Sequence, residues 1–115
     1  MKKVYYLSSC TTCKRILSDL QLPQAFEKQD IKTSPITVEE LDGLRNLSGD
    51  YESLFSRNAK LYRERNLKNV ALSEKDYKDL ILEHYTFLKR PVIINNDQIF
   101  IGNGAKTVEE IKKSL

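Results

Sequence analysis

The chain has 115 residues, 40% hydrophobic and 30% charged, with a net charge of +3. That length bounds it to one domain with one core, large enough to fold without disulfide or metal staples. No apolar run approaches the roughly 20 residues that cross a bilayer. The basic residues are interleaved with acids rather than gathered into an arm, so neither a membrane partner nor direct nucleic-acid binding is expected.

Met1 to Leu7 is basic and then apolar, but its apolar part is too short for a signal peptide and polar residues follow at once. Val4-Tyr5-Tyr6-Leu7 is therefore predicted as a buried strand, and the protein as cytoplasmic. Ser8-Ser9 makes a turn, and Thr11 to Leu20 has helical spacing through Ile16, Leu17 and Leu20. Leu22-Pro23 breaks that helix, and the alternation from Ala25 to Ile31 predicts a second strand. Strand, helix and strand in about thirty residues make a βαβ unit with parallel strands.

The middle of the chain reads as helical. Thr37 with Glu40 is a capping box for a helix running to about Leu47 and closing near Gly49. Further helical stretches are predicted from Tyr51 to Asn58 and near Leu61 to Asn66. Ser73 with Asp76 opens another, carrying Tyr77, Leu80, Ile81 and His84. The period then returns to that of strands: Pro91 to Ile94, a turn at Asn95-Asn96-Asp97, and Gln98 to Ile101 form a hairpin. After Gly102-Asn103-Gly104, Thr107 with Glu110 is expected to cap a closing helix to about Lys113.

The order is βαβ, a helical insert over about 35–88, then ββα, within a single domain spanning 1–115. It resembles the thioredoxin-like α/β plan, which implies a mixed four-stranded sheet.

Only two cysteines occur, Cys10 and Cys13, and they form a C-x-x-C pair. In a chain with no export signal this spacing points to redox chemistry. Structural zinc needs further ligands, and His84 is the only histidine, so no metal site is predicted. Cys10 falls where a strand gives way to a helix. Unsatisfied N–H groups and the positive end of the helix dipole there favour a thiolate, with Lys14 and Arg15 adding local positive charge. Cys13, one turn on, is placed to attack a mixed disulfide formed on Cys10. The bland alternative is a pair of inert, partly buried thiols. Arg57, in the run Arg57-Asn58-Ala59-Lys60, is read either as a solvated helix face or as an oxyanion ligand near the cysteine turn. His84 and the tyrosines are assigned to structure.

Three stretches carry a more specific resemblance: Ser9-Cys10-Thr11-Thr12-Cys13-Lys14-Arg15, Ser56 to Tyr62, and Leu88-Lys89-Arg90-Pro91-Val92-Ile93-Ile94. Together with the ending from Gly102 to Ile111, they make the whole chain similar to the ArsC family, which contains glutaredoxin-linked arsenate reductases and the Spx regulators. The resemblance implies a cis proline at Pro91 packed against the cysteines, and Arg90 beside the thiols as an anion ligand. In the reductases it implies that Cys10 attacks arsenate, with glutathione, glutaredoxin or thioredoxin as electron donor and no bound cofactor. Arg90 matches one of three oxyanion-binding arginines of that pattern. A second falls on Ser56 or Arg57, the third near Gly102, and Tyr6 stands where the pattern has histidine. The C-x-x-C is more like the Spx branch, whose members bind the C-terminal domain of the RNA polymerase α subunit. Gly49 sits where a glycine of that contact is expected. The polar C-terminal extension of that branch does not follow Leu115.

The expected function is a thiol-dependent oxidoreductase acting on arsenate, another small oxyanion or a thiol adduct. Cys10, Cys13 and Arg90 are its catalytic residues, and Lys14, Arg57 and Pro91 line its substrate site. The alternative is a redox-sensing regulator that docks on RNA polymerase through its α subunit.

Overall fold

A computed structural model describes residues 1–115. It divides the chain into two compact units, Met1–Ser34 with Arg90–Leu115 and Pro35–Lys89.

The first unit holds all four strands: β1 (Lys2–Tyr6), β2 (Glu27–Asp30), β3 (Val92–Asn95) and β4 (Gln98–Ile101). Their order is β2-β1-β3-β4, with β1 parallel to β2 and the other pairs antiparallel, so the expected mixed α/β sheet is present. Helices α1 (Thr11–Leu20) and α5 (Ala105–Ser114) belong to this unit. Strand alternation puts Val4, Ile93 and Phe100 side by side across β1, β3 and β4. They share one core with Ile16 and Leu20 of α1, Phe26, and Ile111 of α5. The helical spacing of Ile16 and Leu20 exists to meet that face.

Several boundaries differ from expectation. β3, expected over Pro91 to Ile94, runs from Val92 to Asn95, because Asn95 pairs with Gln98 instead of joining the turn. β1 starts at Lys2, because Lys2 pairs with Asn95 at the far end of β3. Ala25 and Phe26 belong to a turn, closed by the Phe26 N–H on the Pro23 carbonyl at 3.0 Å, and β2 starts only at Glu27. The last helix begins at Ala105 with Gly104 as its N-cap and no side-chain cap, so Thr107 lies inside its first turn instead of capping it.

The second unit contains α2 (Val38–Ser48), α3 (Lys60–Glu64) and α4 (Glu74–Glu83). Both capping boxes form. The Glu40 N–H donates to Thr37 Oγ1 at 3.1 Å and the Thr37 N–H to Glu40 Oε1 at 3.0 Å. Ser73 and Asp76 repeat the pattern at 3.2 and 2.9 Å. Each box satisfies two orphan donors of a helix end. Gly49 ends α2 with φ of +99°, a conformation other residues enter at a cost.

The helix predicted from Tyr51 to Asn58 is not there. Only Glu52–Leu54 turns, as a short 3-10 helix, and Arg57 therefore ends no helix. Leu54 and Phe55 are both wholly buried. Their backbone pairs across the unit: Phe55 bridges Leu88, the Ser56 N–H donates to the Phe87 carbonyl at 2.7 Å, and the Lys89 N–H donates to that of Leu54 at 2.8 Å. Tertiary pairing has overridden local helical preference. Phe55 stacks on Phe87 at 5.3 Å and meets Tyr77 at 4.9 Å, forming the aromatic centre of this unit.

Candidate functional site

The C-x-x-C pair sits at the junction of β1 and α1. After β1 the chain reverses through Leu7-Ser8-Ser9-Cys10, closed by the Cys10 N–H on the Leu7 carbonyl at 3.0 Å. Cys10 is the N-cap of α1, with extended backbone (φ −91°, ψ 106°), and Lys14 N–H donates to its carbonyl at 3.1 Å. This is the position where serine, threonine or aspartate usually accepts from the first-turn amides. The neutral thiol makes no such cap, and the first turn carries no acidic residue. A negative charge on this sulfur is what the helix end lacks.

The two thiols are driven apart in acidity. Partial burial opposes ionisation of Cys10, but it is outweighed by the Cys13 backbone N–H, the Cys13 thiol and the Arg90 guanidinium, all of which favour the thiolate. The net effect holds Cys10 below the ordinary thiol range. Cys13 is fully buried. Burial first, then the hydrogen bond to Cys10 and its charge, push the Cys13 thiol up to about 12, against smaller opposing help from the Leu7 backbone and Arg90. The pair is therefore asymmetric, with the partly exposed Cys10 the more acidic thiol and the buried Cys13 the less acidic one.

Arg90 reaches Cys10 from the segment entering β3 and both favours and hydrogen-bonds its ionised form. The Arg90-Pro91 peptide is cis, and Pro91 is buried. Cys10, Cys13, Arg90 and Pro91 thus lie in one unit. Lys14 is exposed on the first turn of α1. Arg57 belongs to the other unit. There its Nη2 donates to Glu52 Oε2 at 2.8 Å and to the Tyr77 hydroxyl at 3.1 Å, and the guanidinium lies over the Tyr77 ring. The hydrogen bond to Glu52 raises its pKa further.

His84 lies just beyond α4, which ends at Glu83, and has extended backbone instead of the expected place on the helix. Its ring accepts from the Thr86 N–H at 3.2 Å and stacks on Tyr85. No group of three or more His, Cys, Asp or Glu side chains is arranged to hold a metal ion, and no helix is long and apolar enough to cross a membrane.

Sequence reasoning missed Asp30. It ends β2 opposite Tyr6 of β1, and its Oδ1 accepts from the Ser8 N–H at 3.3 Å and the Lys32 N–H at 3.1 Å. The Asp-x-Lys spacing of an Asx turn was the only signal available. Its connection to the cysteine turn needs the strand register.

Residues 5–111 match the model of the ArsC family. Among curated relatives, the global transcriptional regulator Spx 2 of Bacillus anthracis is 27% identical over 117 residues, covering 100% of this chain and 87% of the relative. Spx of Bacillus subtilis is 26% identical over 119 residues with the same coverage. Among solved structures, the arsenate reductase from Vibrio cholerae superposes with a TM-score of 0.76 at 21% identity, covering 99% of this chain and 98% of that one. At that identity the likeness establishes a shared fold.

Proposed function

The chain belongs to the ArsC family, and we propose that it works as a thiol-dependent oxidoreductase of that family. Cys10 is the nucleophile, Cys13 the resolving thiol, and Arg90 the group that holds the thiolate and meets the negative charge of a substrate. The observation that carries this reading is the split within the pair, with Cys10 lowered and Cys13 raised to about 12. Burial alone accounts for part of the Cys13 shift, whereas the lowering of Cys10 comes from groups gathered on its sulfur, the Cys13 amide and thiol and the Arg90 guanidinium.

The leading substrate is arsenate. The Cys10 thiolate displaces an oxygen as hydroxide or water and forms a sulfur–arsenic bond. Cys13 then attacks the Cys10 sulfur, the bonding pair leaves with arsenic as arsenite, and a Cys10–Cys13 disulfide remains. Glutathione, glutaredoxin or thioredoxin returns two electrons to the pair. Pro91 forms the wall of the site, and Lys14 adds positive charge on the same turn.

The test is turnover of arsenate with each thiol donor in turn. Arsenite should form with the wild-type protein and be lost on Cys10→Ser. No turnover with any donor sinks the enzyme reading.

A second reading is favoured by the curated relatives, regulators that this chain matches along its whole length. In it the same disulfide is a redox signal, and the partner is the C-terminal domain of the RNA polymerase α subunit. Titration of that domain with oxidised and reduced protein separates the two readings. Absence of binding in both states eliminates the regulator.

A further inference from the structure

The parallel pairing of β1 with β2 ends where Tyr6 faces Asp30, and its last rung is the Ile31 N–H on the Tyr6 carbonyl at 2.9 Å. Beyond that rung the two chains diverge. β1 enters the Leu7–Cys10 turn, and β2 enters a turn in which the Ser34 N–H returns to the Asp30 carbonyl at 2.8 Å. One side chain joins the two. Asp30 Oδ1 accepts the Ser8 N–H from the first turn and the Lys32 N–H from the second, and the Ser8 hydroxyl faces the same carboxylate. Ser8 is two residues before Cys10.

We propose that Asp30 is a positioning residue for the reactive thiol, holding the Ser8-Ser9 turn so that the Cys10 sulfur stays within reach of the Cys13 amide and of Arg90. The proposal rests on the reading of Cys10 as the reactive thiol.

The groups facing the Cys10 sulfur are Cys13 from α1 and Arg90 from the entry to β3. Asp30 faces the preceding turn from the end of β2, and the Lys32 ammonium acts on the Asp30 carboxylate. Asp30 has two ways to influence Cys10, and they have opposite signs. Acting through its charge, a carboxylate disfavours a nearby thiolate, so removing it lowers the thiol pKa. Acting through the turn, it keeps the sulfur aligned with donors, so removing it raises the pKa. The side chain that satisfies the turn without the charge is asparagine, whose Oδ1 accepts both amide protons while its NH2 donates to the Ser8 hydroxyl.

The experiment measures the rate of Cys10 alkylation by iodoacetamide against pH. It uses the wild-type full chain, Asp30→Ala, Asp30→Asn and Asp30→Glu, with thermal unfolding of each as a control. Positioning predicts that the midpoint rises by about half a pH unit or more in Asp30→Ala and in Asp30→Glu, whose acceptor is displaced by one methylene. Asp30→Asn should stay within about 0.2 unit of wild type or fall slightly. If Asp30→Ala does not fold, Asp30→Glu against Asp30→Asn carries the same contrast. A wild-type midpoint in Asp30→Ala or Asp30→Glu overturns the proposal, as does movement of alanine and asparagine variants together in one direction. A wild-type midpoint at the free-thiol value, about 8.5, removes the premise about Cys10 itself, and the proposal with it.

Discussion

Replacing Arg90 with methionine keeps much of the side-chain volume and removes the one cation among the groups that stabilise the Cys10 thiolate. Two unit charges about 4 Å apart attract by roughly 4 kcal/mol at an effective dielectric of about 20. Cys10 is partly exposed, and solvent screening leaves on the order of a third of that figure, about 1.4 kcal/mol. Since about 1.36 kcal/mol corresponds to one pKa unit, Arg90→Met should raise the Cys10 midpoint by about one pH unit. Arg90→Lys keeps the charge but not the planar fork, and should raise it by roughly half as much. The assay is iodoacetamide alkylation against pH, followed by mass spectrometry to assign the label to Cys10. The sign of the linked stability follows. A depressed thiol pKa stabilises the fold fully above the unfolded value, about 8.5, and this contribution disappears as pH falls through the folded value. Arg90→Met should therefore lose stability at alkaline pH relative to acidic pH. An Arg90→Met protein that folds and keeps the wild-type midpoint would refute the assignment of Arg90 to the thiolate.

Cys13 predicts the opposite alkaline behaviour, because its thiol is raised to about 12 in the fold. Between about 8.5 and that value the unfolded chain has lost this proton while the folded chain keeps it, so the fold loses up to about 1.4 kcal/mol per pH unit from this group. Cys13→Ala should flatten the alkaline arm of a denaturant-stability profile; identical slopes in both proteins would contradict the raised value. In the second unit, Ser73→Ala removes one half of the α4 capping box and should cost about 1 kcal/mol, read as a lower denaturation midpoint. Phe55→Ala empties the centre of the aromatic cluster and should cost about 3–5 kcal/mol, whereas a loss below about 1 kcal/mol would mean that the cluster is not the core of that unit.

The features legible in the sequence are those whose causes are local. Helix α1 runs from Thr11 to Leu20 as its spacing indicates, because the apolar positions that mark it are the ones it buries. The caps at Thr37 and Ser73 are short-range hydrogen-bond patterns, and both form. The β3–β4 turn at Asn96-Asp97 is legible for the same reason, with Asn96 accepting a positive φ of 59°. The failures have distant causes. Tyr51 to Asn58 has helix-compatible residues, yet Phe55 is spent on a bridge to Leu88, more than thirty positions away. Thr107 matches a capping pattern, but Gly104 has already started the helix. The site divides in the same way. Cys10 and Cys13 are visible as a motif, and Arg90 through family resemblance. Asp30 is invisible, since a polar residue after a strand acquires its role only when register sets it across from Tyr6.

The coupling between the two cysteines can itself be measured. Of the causes that raise Cys13, burial is permanent, whereas the hydrogen bond to Cys10 and the charge on Cys10 exist only while Cys10 is an unreacted thiolate. In the proposed mechanism a bond from Cys10 to substrate takes the thiolate charge off the sulfur, while burial, the largest cause, remains, and an arsenate adduct carries negative charge of its own. The Cys10 thiolate thus adds to burial in opposing ionisation of Cys13, and the two thiols titrate as a coupled pair. This coupling makes a specific demand on Cys10→Ser, in which a neutral hydroxyl replaces the thiolate: Cys13 should ionise at lower pH than in the reduced wild-type protein. Ultraviolet thiolate absorbance against pH measures this directly. A Cys13 that titrates unchanged in Cys10→Ser would show that burial alone sets its acidity and that the two thiols are not coupled.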